Sequence, residues 1–124
     1  MPELPDVTVY VEALEARIVG KTLQRIDIAG PYLLRTFEPM PADLHDKRVN
    51  AVKRVGKRIA IGVDGGLWSV VHLMIAGRLQ WKDKVKAPVT GIALAGFDFP
   101  SGTLLFTEAS KKQRASLHIV RGEA

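Results

Sequence analysis

The sequence predicts a mainly β (α+β) fold, with an N-terminal helix followed by a two-layer antiparallel β-sandwich or flattened barrel of about eight strands. Apolar residues repeat at helical spacing only before Gly20. After Gly20, short apolar stretches alternate with turns that contain Gly, Pro or Asp. A chain of 124 residues is long enough to bury one hydrophobic core, and neither a linker nor an internal repeat divides it. We therefore expect a single domain over residues 1–124.

The helix is predicted over residues 5–19. Its apolar face recurs at every third or fourth residue, and comprises Val7, Tyr10, Val11, Leu14 and Ile18. Pro5 suits the first helical turn, and Gly20 suits the position after the last turn. The alternation of valines over residues 7–11 would also fit a strand, but the flanking signals favour a helix. The positive end of its dipole would face the start of the chain, where it would favour an uncharged amine.

The strands are predicted from short apolar runs between turn signals. They cover residues 22–28, 33–37, 48–55, 57–63, 67–74, 78–82, 92–99, 103–107 and 116–120. The Asp-Gly-Gly sequence at 64–66 favours a tight hairpin, and the prolines at 39 and 41 favour a loop that leads into one helical turn. A change of apolar alternation at Gly96 predicts a β-bulge. Alternating polarity over residues 78–82 is typical of an edge strand, whereas residues 67–74 suit a strand buried on both sides.

Charge and composition narrow the class of partner. The chain carries 18 Lys and Arg against 13 Asp and Glu, a formal net charge of +5, and has a pI of about 9.7. This balance is compatible with a polyanionic partner. No run approaches the roughly 18 apolar residues of a membrane span, and the acidic N-terminus is unlike a secretory signal. The absence of cysteine excludes disulfides and cysteine-based zinc sites. We expect a cytoplasmic monomer with no membrane partner.

The first six residues contain the main candidate for chemistry. If Met1 is removed, Pro2 becomes the N-terminus, and its secondary amine can attack an aldehyde to give a permanently charged iminium. Glu3 follows as a possible proton donor or acceptor. The alternative is that Met1 and Pro2 are an ordinary start and that Pro5 merely opens the helix. Retention of Met1 would turn the Pro2 nitrogen into an unreactive amide.

The string Pro2-Glu3-Leu4-Pro5-Asp6-Val7 resembles the N-terminus of the formamidopyrimidine-DNA glycosylase / endonuclease VIII family. The resemblance implies that Pro2 attacks C1′ of a damaged nucleoside and that Glu3 handles protons. It also implies that Asp6 assists proton traffic, although the family usually carries the longer Glu at this position. The implied activity is that of a bifunctional DNA glycosylase and abasic-site lyase, which removes oxidised bases of formamidopyrimidine or 8-oxoguanine type from damaged double-stranded DNA.

Lys57 follows Gly56 at the start of a predicted strand. The alternation of that strand predicts that its side chain points to the apolar side, together with Ile59 and Ile61. The resemblance implies that Lys57 acts near the damaged nucleotide and its phosphates, in the catalytic centre. The alternative is a lysine at a strand end that extends its ammonium group into solvent.

The string from His72 to Leu79 resembles a second motif of the same family, usually His-Leu-Gly-Met-Ser-Gly. The resemblance implies that His72 contacts a DNA phosphate and that Ile75 acts as the wedge that enters the space left by the flipped base. Met74 stands where the family has glycine, and Arg78 follows as a further DNA-binding candidate. The alternative for His72 is a structural histidine on a strand.

Residues 107–114 lie where the family carries Thr-Asp-Pro-Arg-Arg-Phe-Gly, but here they lack both proline and phenylalanine. Lys111, Lys112 and Arg114 are therefore candidates for contacts with phosphates or with the orphaned base. A basic solvated loop is the equally plausible alternative.

The resemblance also implies domains that this sequence does not contain. The family continues with a helix–two-turn–helix module and commonly a zinc finger, so we expect this chain to be the N-terminal catalytic domain of a larger protein, without a cofactor of its own. Two other functions stay open. One is a relative that binds damaged DNA without cutting it. The other is a tautomerase that uses the N-terminal proline as a base, which would require β-α-β units.

Overall fold

The computed structural model describes residues 4–29, 33–36, 40–74, 77–83, 89, 91–109 and 114–122. For residues 4–6 it describes the backbone alone. Within these residues one helix precedes nine strands. The elements are α1 (Leu4–Ile18), β1 (Thr22–Leu23), β2 (Arg25–Ile28), a 3-10 turn (Pro41–Leu44), β3 (Lys47–Val55), β4 (Arg58–Val63), β5 (Leu67–His72), β6 (Gly77–Lys82), β7 (Ala93–Phe99), β8 (Gly102–Glu108) and β9 (Ser116–Arg121).

The strands form two antiparallel sheets. The five-stranded sheet has the order β1-β3-β4-β5-β9, and the four-stranded sheet has the order β2-β7-β8-β6. The core between them includes the fully buried Phe97, Phe106, Ile59 and Ile119. The predicted mainly β, two-layer antiparallel fold is therefore confirmed. Every pairing within the two sheets is antiparallel, so the β-α-β units that a tautomerase requires do not occur among the described elements.

Helix α1 packs on β3 and β4. Its buried face follows the predicted period and consists of Val7, Val11, Leu14 and Ile18. The chain leaves the helix through Gly20, whose φ of 86° suits glycine and whose N–H donates to the carbonyl of Val49 at 2.8 Å. The predicted helix is thus confirmed. It is not long and apolar enough to cross a membrane.

Two of the predicted strands differ from those in the structure. Residues 22–28 form two strands in different sheets, divided at Gln24, because β1 pairs with β3 whereas β2 pairs with β7. The predicted strand at 33–37 is reduced, in its described part, to a single parallel bridge between Leu34 and Leu117. Residue 37 lies outside the described residues. The segment 33–36 therefore runs along the open edge of β9.

The bulge predicted at Gly96 lies two residues earlier. Gly96 pairs in register with Leu105, and the register shift falls between Ala93 and Ala95. A Cβ on Gly96 would lie 2.9 Å from Cγ2 of Val89. Glycine is thus needed at residue 96 for close packing, whereas the extra residue between Ala93 and Ala95 reverses the apolar alternation of the strand.

The remaining strands follow the sequence closely. The hairpin at residues 64–66 is confirmed, with φ of 95° at Gly65 and 76° at Gly66. Strand β6 alternates between buried and exposed residues and lies at a sheet edge, as predicted. Strand β5 ends at His72 rather than at residue 74, because Met74 adopts a φ of 57° that turns the chain out of the sheet.

Candidate functional site

Three of the catalytic candidates lie at the start of the chain. Pro2 and Glu3 are outside the described residues, and Asp6 is described only as part of the helical backbone. Helix α1 begins at Leu4, so both Pro2 and Glu3 directly precede its first turn in the sequence. The unpaired N–H groups of a first turn carry partial positive charge.

Lys57 lies in a two-residue hairpin turn, not in a strand. Val55 and Arg58 pair with each other, so Gly56 and Lys57 connect β3 to β4, and Gly56 has a φ of 61°. The Lys57 side chain is exposed. The prediction that it points to the apolar side is wrong, because strand alternation does not extend to a turn residue outside the ladder. An exposed turn nevertheless leaves its ammonium group accessible to a phosphate.

His72 is the last residue of β5 and is half-buried. It lies opposite Arg58 on β4 and opposite Ser116 on β9. Burial lowers the pKa of its imidazole, and the neighbouring positive charges of Arg58 and Lys57, together with His118, lower this pKa further. The imidazole is therefore mainly neutral at pH 7, and an anion bound beside it would favour the protonated form.

The turn that carries the wedge candidate is closed by its own backbone. Gly77 N–H donates to the Leu73 carbonyl at 2.8 Å, and a Cβ on Gly77 would lie 2.2 Å from that same oxygen. Met74 has a left-handed φ of 57°, which explains why glycine would suit this position. Ile75 lies outside the described residues. Arg78 is exposed, and its Nη1 donates to the Gly77 carbonyl at 2.7 Å.

The basic loop after β8 is anchored by Glu108, whose side chain is 4% exposed. Its Oε2 accepts hydrogen bonds from the backbone N–H groups of Arg114 at 3.1 Å and Ala115 at 3.0 Å. Its Oε1 is buried and has no hydrogen-bond partner within the described part of the chain. The Arg114 residue is exposed. Lys111 and Lys112 lie outside the described residues.

These candidates meet at one end of the sandwich. The β3–β4 turn with Lys57 adjoins the end of β5 at His72 and the start of β9. Gly77, which precedes Arg78, pairs with Glu108, so the start of β6 and the end of β8 lie side by side. The structure thus brings the described basic candidates Lys57, His72, Arg78 and Arg114 to a common edge.

Sequence reasoning missed two residues near this edge. Glu108 was noted only as part of the basic loop, and its contact with Ala115 depends on the folded loop. His118 lies on β9, two residues beyond the partner of His72, and burial followed by the charges of Arg58 and Arg35 lowers its pKa. Only the pairing of β5 with β9 places the two histidines on the same face, so no local signal could have identified His118. In the described residues, no three His, Asp or Glu side chains cluster as a metal site would require.

Comparison with solved structures identifies the same architecture. The chain is similar to Lactococcus lactis formamidopyrimidine DNA glycosylase bound non-covalently to DNA containing an AP site, with a TM-score of 0.84, 22% identity, and coverage of 96% of this chain and 45% of that one. It is similar also to MutM in complex with DNA containing carbocyclic 8-oxo-G, with a TM-score of 0.85, 23% identity, and coverage of 97% and 45%. At these identities the likeness shows the fold.

Comparison of sequences identifies the family. The chain is 36% identical over 89 residues to a formamidopyrimidine-DNA glycosylase of Paraburkholderia phymatum, covering 71% of this chain and 32% of the relative. It is 32% identical over 111 residues to one of Solibacter usitatus, covering 88% of this chain and 40% of the relative. The chain thus spans about a third of the length of such relatives. The family model for the formamidopyrimidine-DNA glycosylase N-terminal domain matches residues 1–115, and the chain therefore belongs to this family.

Proposed function

We propose that this chain is the catalytic N-terminal domain of a base-excision repair DNA glycosylase. Its substrate would be double-stranded DNA that carries oxidised bases of formamidopyrimidine or 8-oxoguanine type. The observation that carries the proposal is the family match, which starts at residue 1 and therefore includes Pro2 and Glu3. Relatives named formamidopyrimidine-DNA glycosylase favour an enzyme over a relative that only binds damaged DNA.

The proposed reaction starts from the free amine of Pro2. Its lone pair attacks C1′ of the flipped nucleotide, the C1′–N bond breaks, and the base leaves with that electron pair and takes up a proton. The Pro2 nitrogen, which becomes positively charged in the attack, gives up its proton. Glu3 protonates the ring oxygen as the bond between C1′ and that oxygen breaks, and the nitrogen lone pair forms the C1′=N bond of the iminium. The helix dipole of α1, which begins at Leu4, supports the uncharged, nucleophilic form of the amine.

Lyase activity would follow from the same iminium. The cation acidifies C2′, so loss of a C2′ proton expels the 3′ phosphate and cuts the strand by β-elimination. We assign Asp6 to proton traffic in these steps. The reaction draws its electron sink from Pro2, so it requires no cofactor in this chain. The sequence contains no cysteine, and so it does not supply the cysteine ligands of a zinc finger.

The common basic edge supports DNA binding. Lys57 is exposed in its turn, and Arg78 and Arg114 are exposed at the bases of the neighbouring loops. Exposed cations at one edge can neutralise successive phosphates of a single strand. We assign His72 to a phosphate at the same edge, Met74 and Ile75 to the turn that fills the space left by the flipped base, and Lys111 and Lys112 to the strand opposite.

The proposal extends to assembly and location. We infer that the protein acts as a monomer in the cytoplasm, at the nucleoid if the source is bacterial. Sedimentation of the chain alone and with a duplex tests the first part. A sedimentation coefficient of a dimer in both samples would contradict it.

Base release and strand cleavage should be measured separately, because the first tests the glycosylase and the second tests the lyase. The 124-residue chain, with Pro2 confirmed as its first residue, is incubated with a duplex that carries one 8-oxoguanine or one formamidopyrimidine. We expect free modified base and, without alkali, a strand break at the same site. Binding of the duplex without base release would contradict the proposal and favour the binding-only relative.

A further inference from the structure

We propose that Arg58 and His118 form a subsite for a phosphate group on the outer face of the five-stranded sheet, beside His72. The ligand that we assign to it is a phosphodiester of a bound DNA strand, and this assignment rests on the proposed function. The subsite itself does not, because its chemistry would hold any phosphate anion.

Strand register places these side chains on one face. Arg58 lies directly opposite His72, at a Cβ–Cβ distance of about 5 Å for such pairs. His72 lies opposite Ser116, and His118 is two residues further along β9, opposite Val70. Residues two apart on a strand share a face. The intervening residue on β9, Leu117, is fully buried in the core, so the face that carries His118 is the outer one.

Several basic residues lie on or beside this face. Lys57 precedes Arg58 in the β3–β4 turn, and its charge acts on His72. Arg35 lies on the segment along the edge of β9, where its backbone N–H donates to the Leu117 carbonyl at 2.9 Å, and its charge acts on His118. Within the described residues, Arg58, His72 and His118 form no ion pair with a carboxylate; the ion pairs present involve Arg17, Arg25 and Arg48. Among the described residues, no carboxylate thus neutralises Arg58.

A depression of about 280 Å³ opens on this face, lined by Arg58, Val70, His118 and Val120. This is well above the share of about 30 Å³ that one water takes in the liquid. The guanidinium can donate two parallel hydrogen bonds to a phosphate, and the imidazole can donate one more. The two valines offer an apolar floor. A phosphodiester, with the carbons of its sugar, uses both features, whereas inorganic phosphate uses the cations alone.

Binding of an anion here would be linked to protonation. Burial, and then the charges of Arg58 and Arg35, lower the pKa of His118. Burial lowers that of His72, with contributions from Arg58, Lys57 and His118. A phosphate between them offsets this repulsion and raises both pKa values. Affinity at the subsite therefore increases as the pH falls through the histidine range.

The imidazole signals of the chain report on this subsite directly. NMR titration of the Cε1–Hε1 resonances from about pH 5 to about pH 8 is carried out alone, with a short DNA duplex, and with inorganic phosphate. We expect the duplex to raise the pKa of His118 and His72. For Arg58→Gln and His118→Gln we expect about tenfold weaker duplex binding near pH 6, and for Arg58→Gln a salt slope reduced by about one.

Arg48→Gln is the matched control, because Arg48 is exposed and pairs with Asp64 at 3.8 Å beyond the other end of β4. A rise in the pKa of His118 that occurs with the duplex but not with inorganic phosphate, and that is absent in Arg58→Gln, supports the subsite and its DNA ligand. Equal shifts with inorganic phosphate support the subsite and overturn the DNA assignment. A pKa of His118 that neither ligand changes overturns the subsite. Equal losses of duplex affinity in Arg58→Gln and Arg48→Gln overturn it as well.

The base-release assay separates this inference from the proposed function. Base release by a chain whose His118 responds to neither ligand overturns the subsite and leaves the glycosylase intact. A His118 response to inorganic phosphate in a chain that neither binds DNA nor releases base supports the subsite and overturns the function.

Discussion

Oε2 of Glu108 accepts a hydrogen bond from the backbone N–H of Ala115 at 3.0 Å. Glu108 is the last residue of β8, and Ala115 directly precedes β9, so this contact joins the ends of two strands that belong to different sheets. A second N–H, that of Arg114, donates to the same oxygen at 3.1 Å. One buried carboxylate therefore fixes the end of the basic loop next to the partner of His72.

Replacement of Glu108 by Ala should destabilise the fold. The substitution leaves the buried N–H of Ala115 and the partly buried N–H of Arg114 without an acceptor, at a cost of about 1–3 kcal/mol. Glu108→Gln keeps one carbonyl oxygen and should lose less. Urea denaturation measures the change, and Glu15→Ala on the exposed face of α1 is the control. Equal midpoints for Glu108→Ala and Glu15→Ala would show that the carboxylate does not anchor the loop.

Backbone strain at Met74 gives a second prediction. Its φ of 57° lies in the left-handed region, where a Cβ costs roughly 1–2 kcal/mol. Met74→Gly should therefore be more stable than Met74→Ala by about 1 kcal/mol, because both variants lose the same side-chain contacts beyond Cβ. Thermal unfolding of the pair tests this. A more stable alanine variant would mean that residue 74 does not adopt the left-handed conformation.

The two half-buried histidines make stability depend on pH. The folded-state pKa of both His72 and His118 lies below the ordinary value of 6.5. The unfolded chain therefore binds more protons as the pH falls through about 6.5. The free energy of unfolding should be highest above this range and should decrease toward pH 5.

Urea denaturation at about pH 7.5 and about pH 5 measures this slope. The double variant His72→Gln, His118→Gln should have a flatter dependence on pH. Lys21→Gln, at an exposed position that does not titrate in this range, is the control. An unchanged slope in the double variant would show that His72 and His118 do not cause the pH dependence of stability.

The short carboxylate at Asp6 gives a prediction about rate. The family usually carries the longer glutamate at this position, so Asp6→Glu should raise the turnover of base release. Single-turnover kinetics on a duplex with one 8-oxoguanine measures the change, with Glu12→Asp on the exposed face of α1 as a control. An unchanged rate for Asp6→Glu would exclude Asp6 from proton traffic.

Local sequence patterns predicted helix α1 and the hairpin turn at residues 64–66, because neighbouring residues decide both structures. The buried residues Val7, Leu14 and Ile18 follow the helical period, and the turn at Gly65 follows from its composition. The split at Gln24 could not be predicted, because it depends on which sheet each half joins. Lys57 was assigned to the apolar side because the alternation of β4 was extended by one residue into a two-residue turn.

The candidate site could not be predicted from local sequence patterns alone. Resemblance to the family proposed Pro2 and Glu3 as catalytic candidates, which periodicity alone would have left as an ordinary start. The neighbourhood of His72 and His118 requires the pairing of β5 with β9, two strands distant in the sequence. The contact of Glu108 with Ala115 likewise exists only once the loop has closed.

Borohydride trapping on an abasic duplex tests the central claim most directly. The 124-residue chain, shown by intact mass to begin at Pro2 and shown to bind the duplex, is treated with borohydride during the reaction. We predict a covalent adduct whose sugar maps to the N-terminal peptide, and its loss when Met1 is retained. No adduct from a duplex-bound chain with a free Pro2 amine, or an adduct on another residue, would contradict the role of Pro2 as nucleophile.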